Sequence, residues 1–199
     1  MTLSGRVVLA GCVVMSLFFA LCYRTAPPSP SNEARPATWG NRIEKPGVPN
    51  LHRISEDLYR GGQPTAEGFR HLKEMGIRTV VNLRSFHSDR DEMGNLDFDY
   101  VHIWAKAWHG EDEDVIKFLR VVSDPRRTPV FVHCMHGSDR TGTMVAAYRM
   151  VVQGWSREEA IEELMRGEYG FHEEFTNLVR YLRKLDVDEM RKAMADNAQ

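Results

Sequence analysis

Residues 128–142 read TPVFVHCMHGSDRTG. Val130, Phe131 and Val132 make the β-branched, aromatic run of a strand buried on both faces. The run ends at His133 and Cys134, passes through a short loop holding Gly137, and reaches Arg140, Thr141 and Gly142, where a helix is due. A strand, loop and helix in that order aim successive backbone N–H groups into one concavity, with the positive end of the helix dipole behind it. Such a cup suits a phosphate. Cys134 sits at its base, where oriented amides and the Arg140 guanidinium favour thiolate over thiol and make the sulfur a nucleophile at neutral pH. Five residues separate Cys134 from Arg140. That length lets the loop curl around a tetrahedral anion, so that the guanidinium fork meets two of its oxygens. Thr141 is then placed to hydrogen-bond the sulfur. A free cysteine is ordinarily a small buried hydrophobe, but His-Cys, Gly and Arg-Thr-Gly directly after a strand outweigh that reading.

Outward from this stretch, helices and strands alternate. A helix over 66–75 carries Phe69, Leu72 and Met75 on one face, with Thr65 as its N-cap and Gly76 as its stop. Residues 77–83 (IRTVVNL) follow as a buried strand. Residues 84–92 leave its carboxyl end, where open α/β sheets bind ligands; they read as a solvated charge run in which Arg84 and His87 lie nearest a site. Residues 98–103 supply a further strand, and 104–110 leave it as a second loop. Trp104 and Trp108 in that loop either wall a pocket for an aromatic ring or fill the core. Glu111 to Asp114 head a helix over 115–123, where carboxylates favour the helix amino terminus. After the cup come helices over 143–153, 157–165 (Ser156 and Glu159 forming a capping box) and 175–185. Short extended segments at 51–54 and 58–60 precede all of these. The pattern predicts an α/β fold with a central, mostly parallel sheet flanked by helices.

The 199 residues suit one domain with extensions, and 42% apolar residues suffice for one core. Residues 7–23 are a 17-residue uncharged run between Arg6 and Arg24. This is a signal anchor or signal peptide occupying 1–24, read as retained because no small-x-small cleavage site is evident. Leu9-Ala10-Gly11-Cys12 offers lipidation as the alternative. Residues 25–49, with six prolines, read as a tether in which Trp39 is isolated. The domain proper is expected over 50–185, and 186–199 is a charged tail that frays. Membrane anchorage with the domain outside the cytoplasm, at a bacterial inner membrane or in the periplasm, is the expected placement. Cys12 and Cys22 lie in the apolar run, so Cys134 has no disulfide partner in the soluble part. The 26 basic and 28 acidic residues are interspersed, for a net charge of -2; no basic block tracks a nucleic acid. His133 and His136 flank Cys134, yet they lack further ligands and Arg140 repels a cation, so no metal and no cofactor is expected. Nothing in the pattern sets the oligomeric state.

The segment from His133 to Thr141 resembles the signature of the protein tyrosine phosphatase superfamily, a Cys and an Arg five residues apart followed by Ser or Thr. The Asp-Arg-Thr-Gly ending and the small size resemble the dual-specificity branch found in bacteria, over roughly 51–185. The resemblance implies the cysteine-phosphatase fold and a two-step hydrolysis of phosphate monoesters through a phosphocysteine. It assigns Cys134 as nucleophile and Arg140 as clamp, with Met135, His136, Gly137, Ser138, Asp139, Arg140 and Thr141 binding the phosphate. Relatives carry an acid on the loop before the preceding helix, but residues 104–110 hold no carboxylate; Asp112 is the expected donor, with Glu111 and His109 as alternatives. Ser138 and Asp139 stand where inositol-phosphate enzymes tend to carry lysines, which points to a singly phosphorylated protein or small monoester such as phosphotyrosine. A phosphate-binding module with little turnover, an inositol-phosphate phosphatase and a rhodanese-like sulfur carrier are the competing readings.

Overall fold

The computed structural model describes residues 35–196. Its strands are β1 (Asn41–Arg42), β2 (His52–Arg53), β3 (Leu58–Gly61), β4 (Thr79–Asn82), β5 (Asp99–His102) and β6 (Val130–His133). Its helices are α1 (Ala66–Glu74), α2 (Arg90–Met93), α3 (Asp112–Ser123), α4 (Asp139–Val151), α5 (Arg157–Arg166), α6 (Thr176–Lys184) and α7 (Val187–Ala195). The sheet order is β1-β2-β3-β6-β4-β5. β3, β6, β4 and β5 run parallel, and β1 and β2 add an antiparallel edge.

The period-2 alternation of β6 divides the core. Val130 and Val132 join the cluster under α3 to α7, and Phe131 packs with Phe69, Leu72 and Val80 under α1. His133, next in alternation, falls on the α1 face, beside the Phe69 and Phe131 rings. With both faces covered, all four residues of β6 are buried, as are all four of β4. The sheet therefore delivers Cys134 at the carboxyl end of its central strand.

Three expectations are corrected. Residues 35–49 are no free tether, because the compact unit begins at Arg35. Trp39 is buried and β1 pairs with β2. The buried pair of Arg149 Nε and Glu163 Oε2 (2.7 Å) draws this segment in, the Gly40 N–H donating to Glu163 Oε1 at 2.8 Å and Arg149 Nη2 to the Thr38 carbonyl at 3.1 Å. Buried charges require such partners. Of the expected tail over 186–199, the described residues 186–196 are likewise not loose: Asp186 caps α7 through the amides of Asp188 and Glu189, and Met190 is 1% exposed. Burying that side chain is worth about 2 kcal/mol. Finally, α4 starts at Asp139 rather than 143, so Arg140 and Thr141 project from a helical first turn.

The expected anchor over 1–24 and the first part of the tether lie outside the described residues. Among the described residues no helix is long and apolar enough to cross a membrane.

Candidate active site

The loop after β6 is shaped by what holds it from behind. The Met135 carbonyl accepts from the Gln63 N–H at 3.1 Å. Asn50 Nδ2 donates to the His136 carbonyl at 3.0 Å, and Arg60 Nη2 donates to those of Gly137 (2.6 Å) and Ser138 (3.3 Å). In a trans peptide the C=O and the following N–H point opposite ways. Four carbonyls pulled outward thus turn the N–H groups of residues 136–139 into the concavity, and α4 begins directly behind them. Gly137 is required twice over: its φ is +76°, and a Cβ there would collide with the Gly61–Gly62 backbone.

Cys134, 3% exposed, lies at the base of this turn. Arg140 is aimed by its Nη1, which donates to the Leu83 carbonyl at 3.1 Å, and it lines the cavity above the loop. Thr141 is fully buried and its Oγ1 has no hydrogen-bond partner. An orphan hydroxyl in a packed interior calls for a reason, and a thiolate or phosphate oxygen in the cup supplies one. Cys134, Arg140, Thr141 and the backbone from Met135 to Asp139 are thus brought together.

Two charged groups behind the cup are only faintly signalled in the sequence. Arg60, 1% exposed, lies 3.9 Å above the Tyr169 ring centroid. Burial pushes its guanidinium down, while the charges of Tyr169, Glu163 and Cys134 push it up. Asp89, expected in a solvated charge run, is instead fully buried: Oδ2 lies 2.8 Å from His133 Nε2, and Oδ1 accepts from Gln63 Nε2 at 2.8 Å. Burial alone would raise its carboxyl, but the His133 hydrogen bond and charge, together with Gln63, hold it below the usual carboxylate range. His133 and His136 diverge, His133 toward Asp89 and His136 toward the half-buried His172, 6.1 Å between ring centroids.

Asp139 also departs from expectation. Its carboxylate faces away from the cup and accepts from the His172 N–H (2.9 Å) and Nδ1 (2.9 Å to Oδ2). That hydrogen bond, then the charge of Asp139, raises the His172 imidazole toward its charged form. The acidic loop residue is therefore neutralised locally and says little about the number of phosphates on the substrate.

Above the loop opens a cavity of about 680 Å³, walled by Phe86, Trp104, Trp108 and Met135, with Arg84 and Arg140 at its polar edge. The two tryptophans are walls, not core: they are 65% and 64% exposed. His87 does not line the cavity. Neither does Asp112, the expected acid, whose Oδ1 accepts from the Tyr181 hydroxyl at 2.8 Å. Glu111 is paired with Lys106 at 2.5 Å, and that hydrogen bond holds its carboxyl low. His109 and Glu111 line a narrow cleft that shares Lys106 and Arg140 with the cavity, together with Asp114, whose carboxyl burial raises. No carboxylate is among the residues lining the main cavity.

Comparison with known proteins agrees with this geometry. Residues 49–178 match the family described as DSP-PTPase phosphatase fused to NAD+ kinase. The chain is 36% identical over 163 residues to the dual specificity protein phosphatase TpbA of Pseudomonas aeruginosa strain UCBPP-PA14, covering 81% of this chain and 73% of that protein. The crystal structure of P. aeruginosa TpbA superposes with a TM-score of 0.73 at 34% identity, over 81% of this chain and 99% of that one. A cysteine-to-serine TpbA in complex with phosphotyrosine gives 0.73 at 33% identity, over 82% and 100%. A sheet that presents Cys134 to outward-turned carbonyls and an inward Arg140 is what this match in sequence and fold describes: the chain belongs to the dual-specificity protein phosphatases of the cysteine-dependent tyrosine phosphatase superfamily.

Proposed function

We propose that the chain hydrolyses aryl phosphate monoesters, phosphotyrosine foremost, through a phosphocysteine on Cys134. The thiolate attacks phosphorus as the bond to the aryl oxygen breaks. Arg140 and the inward amides of residues 136–139 hold the equatorial oxygens, and the unpartnered Thr141 hydroxyl is free to donate to the departing sulfur. Water then attacks phosphorus, the S–P bond breaks, inorganic phosphate leaves, and the thiolate returns. No step calls on a metal.

The observation that carries the choice of substrate is the makeup of the cavity: aromatic walls and no lining carboxylate. A phenol, with a pKa near ~10, departs with little protonation, and its proton comes from water at the open mouth. The alkoxide of serine or threonine is far more basic and needs a placed acid. The phosphotyrosine held by the TpbA variant supports the same choice. Phosphate release from phosphotyrosine peptides should exceed that from phosphoserine or phosphothreonine peptides at least tenfold, and Cys134→Ser should abolish it while inorganic phosphate still binds. Full activity in that variant would end the proposal.

The uncharged run at 7–23 supports a further part of the reading, a domain tethered to a membrane on its extracytoplasmic side. Membrane fractionation with protease added outside the cytoplasm tests it: a soluble or protected domain would refute it.

A further inference from the structure

Residues 87–92 read HSDRDE, and three of their side chains converge away from the catalytic cup. Asp89 stands at the N-cap position of α2, and Glu92 lies three residues on, the spacing that puts two side chains on one side of a helix. One ligand atom from each of His87, Asp89 and Glu92 lies within 4.8 Å of the other two. His87 Nε2 is 3.6 Å from Asp89 Oδ1 and 3.4 Å from Glu92 Oε1. Both separations exceed an N–H···O hydrogen bond, whose range ends near ~3.2 Å. They suit instead the edge of a tetrahedron of ligands around a zinc-sized ion, about 3.3–3.4 Å for bonds of about 2.0–2.1 Å. A charged His87 would turn the set into two loose ion pairs. That reading leaves His87 Nε2 and Glu92 Oε2 unexplained, since both atoms are buried and neither has a hydrogen-bond partner.

We infer that His87, Asp89 and Glu92 form a binding site for a divalent transition-metal ion of the zinc type. One imidazole nitrogen and two carboxylate oxygens supply three ligands, and water supplies the fourth. The ligands are held in place from outside the set. Asp89 Oδ1 accepts from Gln63 Nε2 at 2.8 Å and keeps a second lone pair, while Oδ2 lies 2.8 Å from His133 Nε2. Such outer partners orient a ligating carboxylate. Asn82 shapes the loop that carries His87: its Nδ2 donates to the His87 carbonyl at 2.8 Å, and its Oδ1 accepts the Arg84 N–H at 2.8 Å. The Asp89 N–H donates to the Tyr100 hydroxyl at 3.1 Å. Asp89 is fully buried, but the His87 and Glu92 side chains are 27% and 31% exposed, so an ion reaches them from solvent. The ion takes no part in the hydrolysis. It ties α2 to the loop whose other end, Arg84, lines the cavity.

Zinc uptake by the full chain, measured by competition with a chromophoric chelator, tests the site. His87→Ala and Glu92→Gln should each weaken the binding of one zinc equivalent about tenfold or more, whereas Cys134→Ser should keep that equivalent. Zinc should also raise the melting temperature of the parent, and raise that of His87→Ala and Glu92→Gln much less. Glu92→Gln, a near-isosteric change at a partly exposed position, decides the matter if His87→Ala does not fold. An equivalent lost in Cys134→Ser but kept in the other two would place the ion in the cup and overturn the inference. So would uptake and melting shifts equal in parent and both site variants, or no uptake by the parent at all. Zinc binding and melting need no turnover, so inactivity toward aryl phosphates would strike the proposed function and leave this inference standing.

Discussion

The loop beneath the cavity and the loop above it are held in opposite ways. Below, the carbonyls of residues 135–138 are tied to Gln63, Asn50 and Arg60, and the guanidinium of Arg60, which serves two of them, is buried. Above, Trp104 and Trp108 stand mostly in solvent, and the carboxylates at the head of α3 make exposed contacts, Glu111 with Lys106 and Asp112 with Tyr181. Exposed ion pairs are worth about 0–1 kcal/mol, whereas loss of one partner from a buried, charged network costs several. Phosphate recognition is therefore built into the packing of the sheet. Leaving-group recognition rests on side chains of a loop that can change without disturbing the core.

That contrast predicts unequal sensitivity. Arg140→Lys keeps the charge but loses the planar fork, and kcat/KM for p-nitrophenyl phosphate should fall by about 10²–10³, the usual loss for one transition-state donor in a closed site. Thermal stability should hardly move, because the Arg140 guanidinium is tied to the fold by a hydrogen bond to the Leu83 carbonyl, which a lysine ammonium can also make. A loss under fivefold would mean that the buried amides alone hold the transition state.

How far the sequence foretold this follows from the same contrast. The cup could be read from residues 128–142 because its determinants are local: a strand, a glycine at positive φ and a helix start within one stretch. Arg60 and Asp89 could not, since each is an ordinary charged residue until the sheet sets β3 beside β6 and Gln63 beside the loop after β4. Their signal was faint: Arg60 falls in an otherwise apolar strand, and Asp89 precedes the single turn of α2. Residues 35–49 belong to the fold for a related reason. Proline-rich composition describes the lack of helix or long strand, but the buried Arg149–Glu163 pair that binds Gly40 and Thr38 is assembled from α4 and α5. The tryptophans stayed ambiguous because size and apolarity suit a core and a pocket wall equally.

The mouth should respond more mildly than the cup. Trp104→Ala or Trp108→Ala removes one aromatic wall, a loss of about 0.5–1.5 kcal/mol. KM for a phosphotyrosine peptide should rise roughly two- to tenfold, with little change in kcat. Inhibition by inorganic phosphate, which touches only the cup, should be unaltered. A matching loss of phosphate affinity would show that the two loops are coupled after all.

The smallest effect is expected where the sequence pointed to a catalyst. A placed general acid contributes about 10²–10⁴ to rate, and its loss grows worse as the leaving group becomes more basic. Asp112 lies outside the cavity lining and accepts from Tyr181, whose hydroxyl is pushed above its ordinary range by burial and then by that hydrogen bond. Asp112→Asn should therefore lower kcat less than about threefold, well short of the loss of an acid, for both p-nitrophenyl and phenyl phosphate. If the loss reached a hundredfold and were steeper for phenyl phosphate, the helix amino terminus would have to swing over the cavity during turnover. The exposed side of the site would then be the moving part, and the division between a fixed cup and a passive mouth would fail.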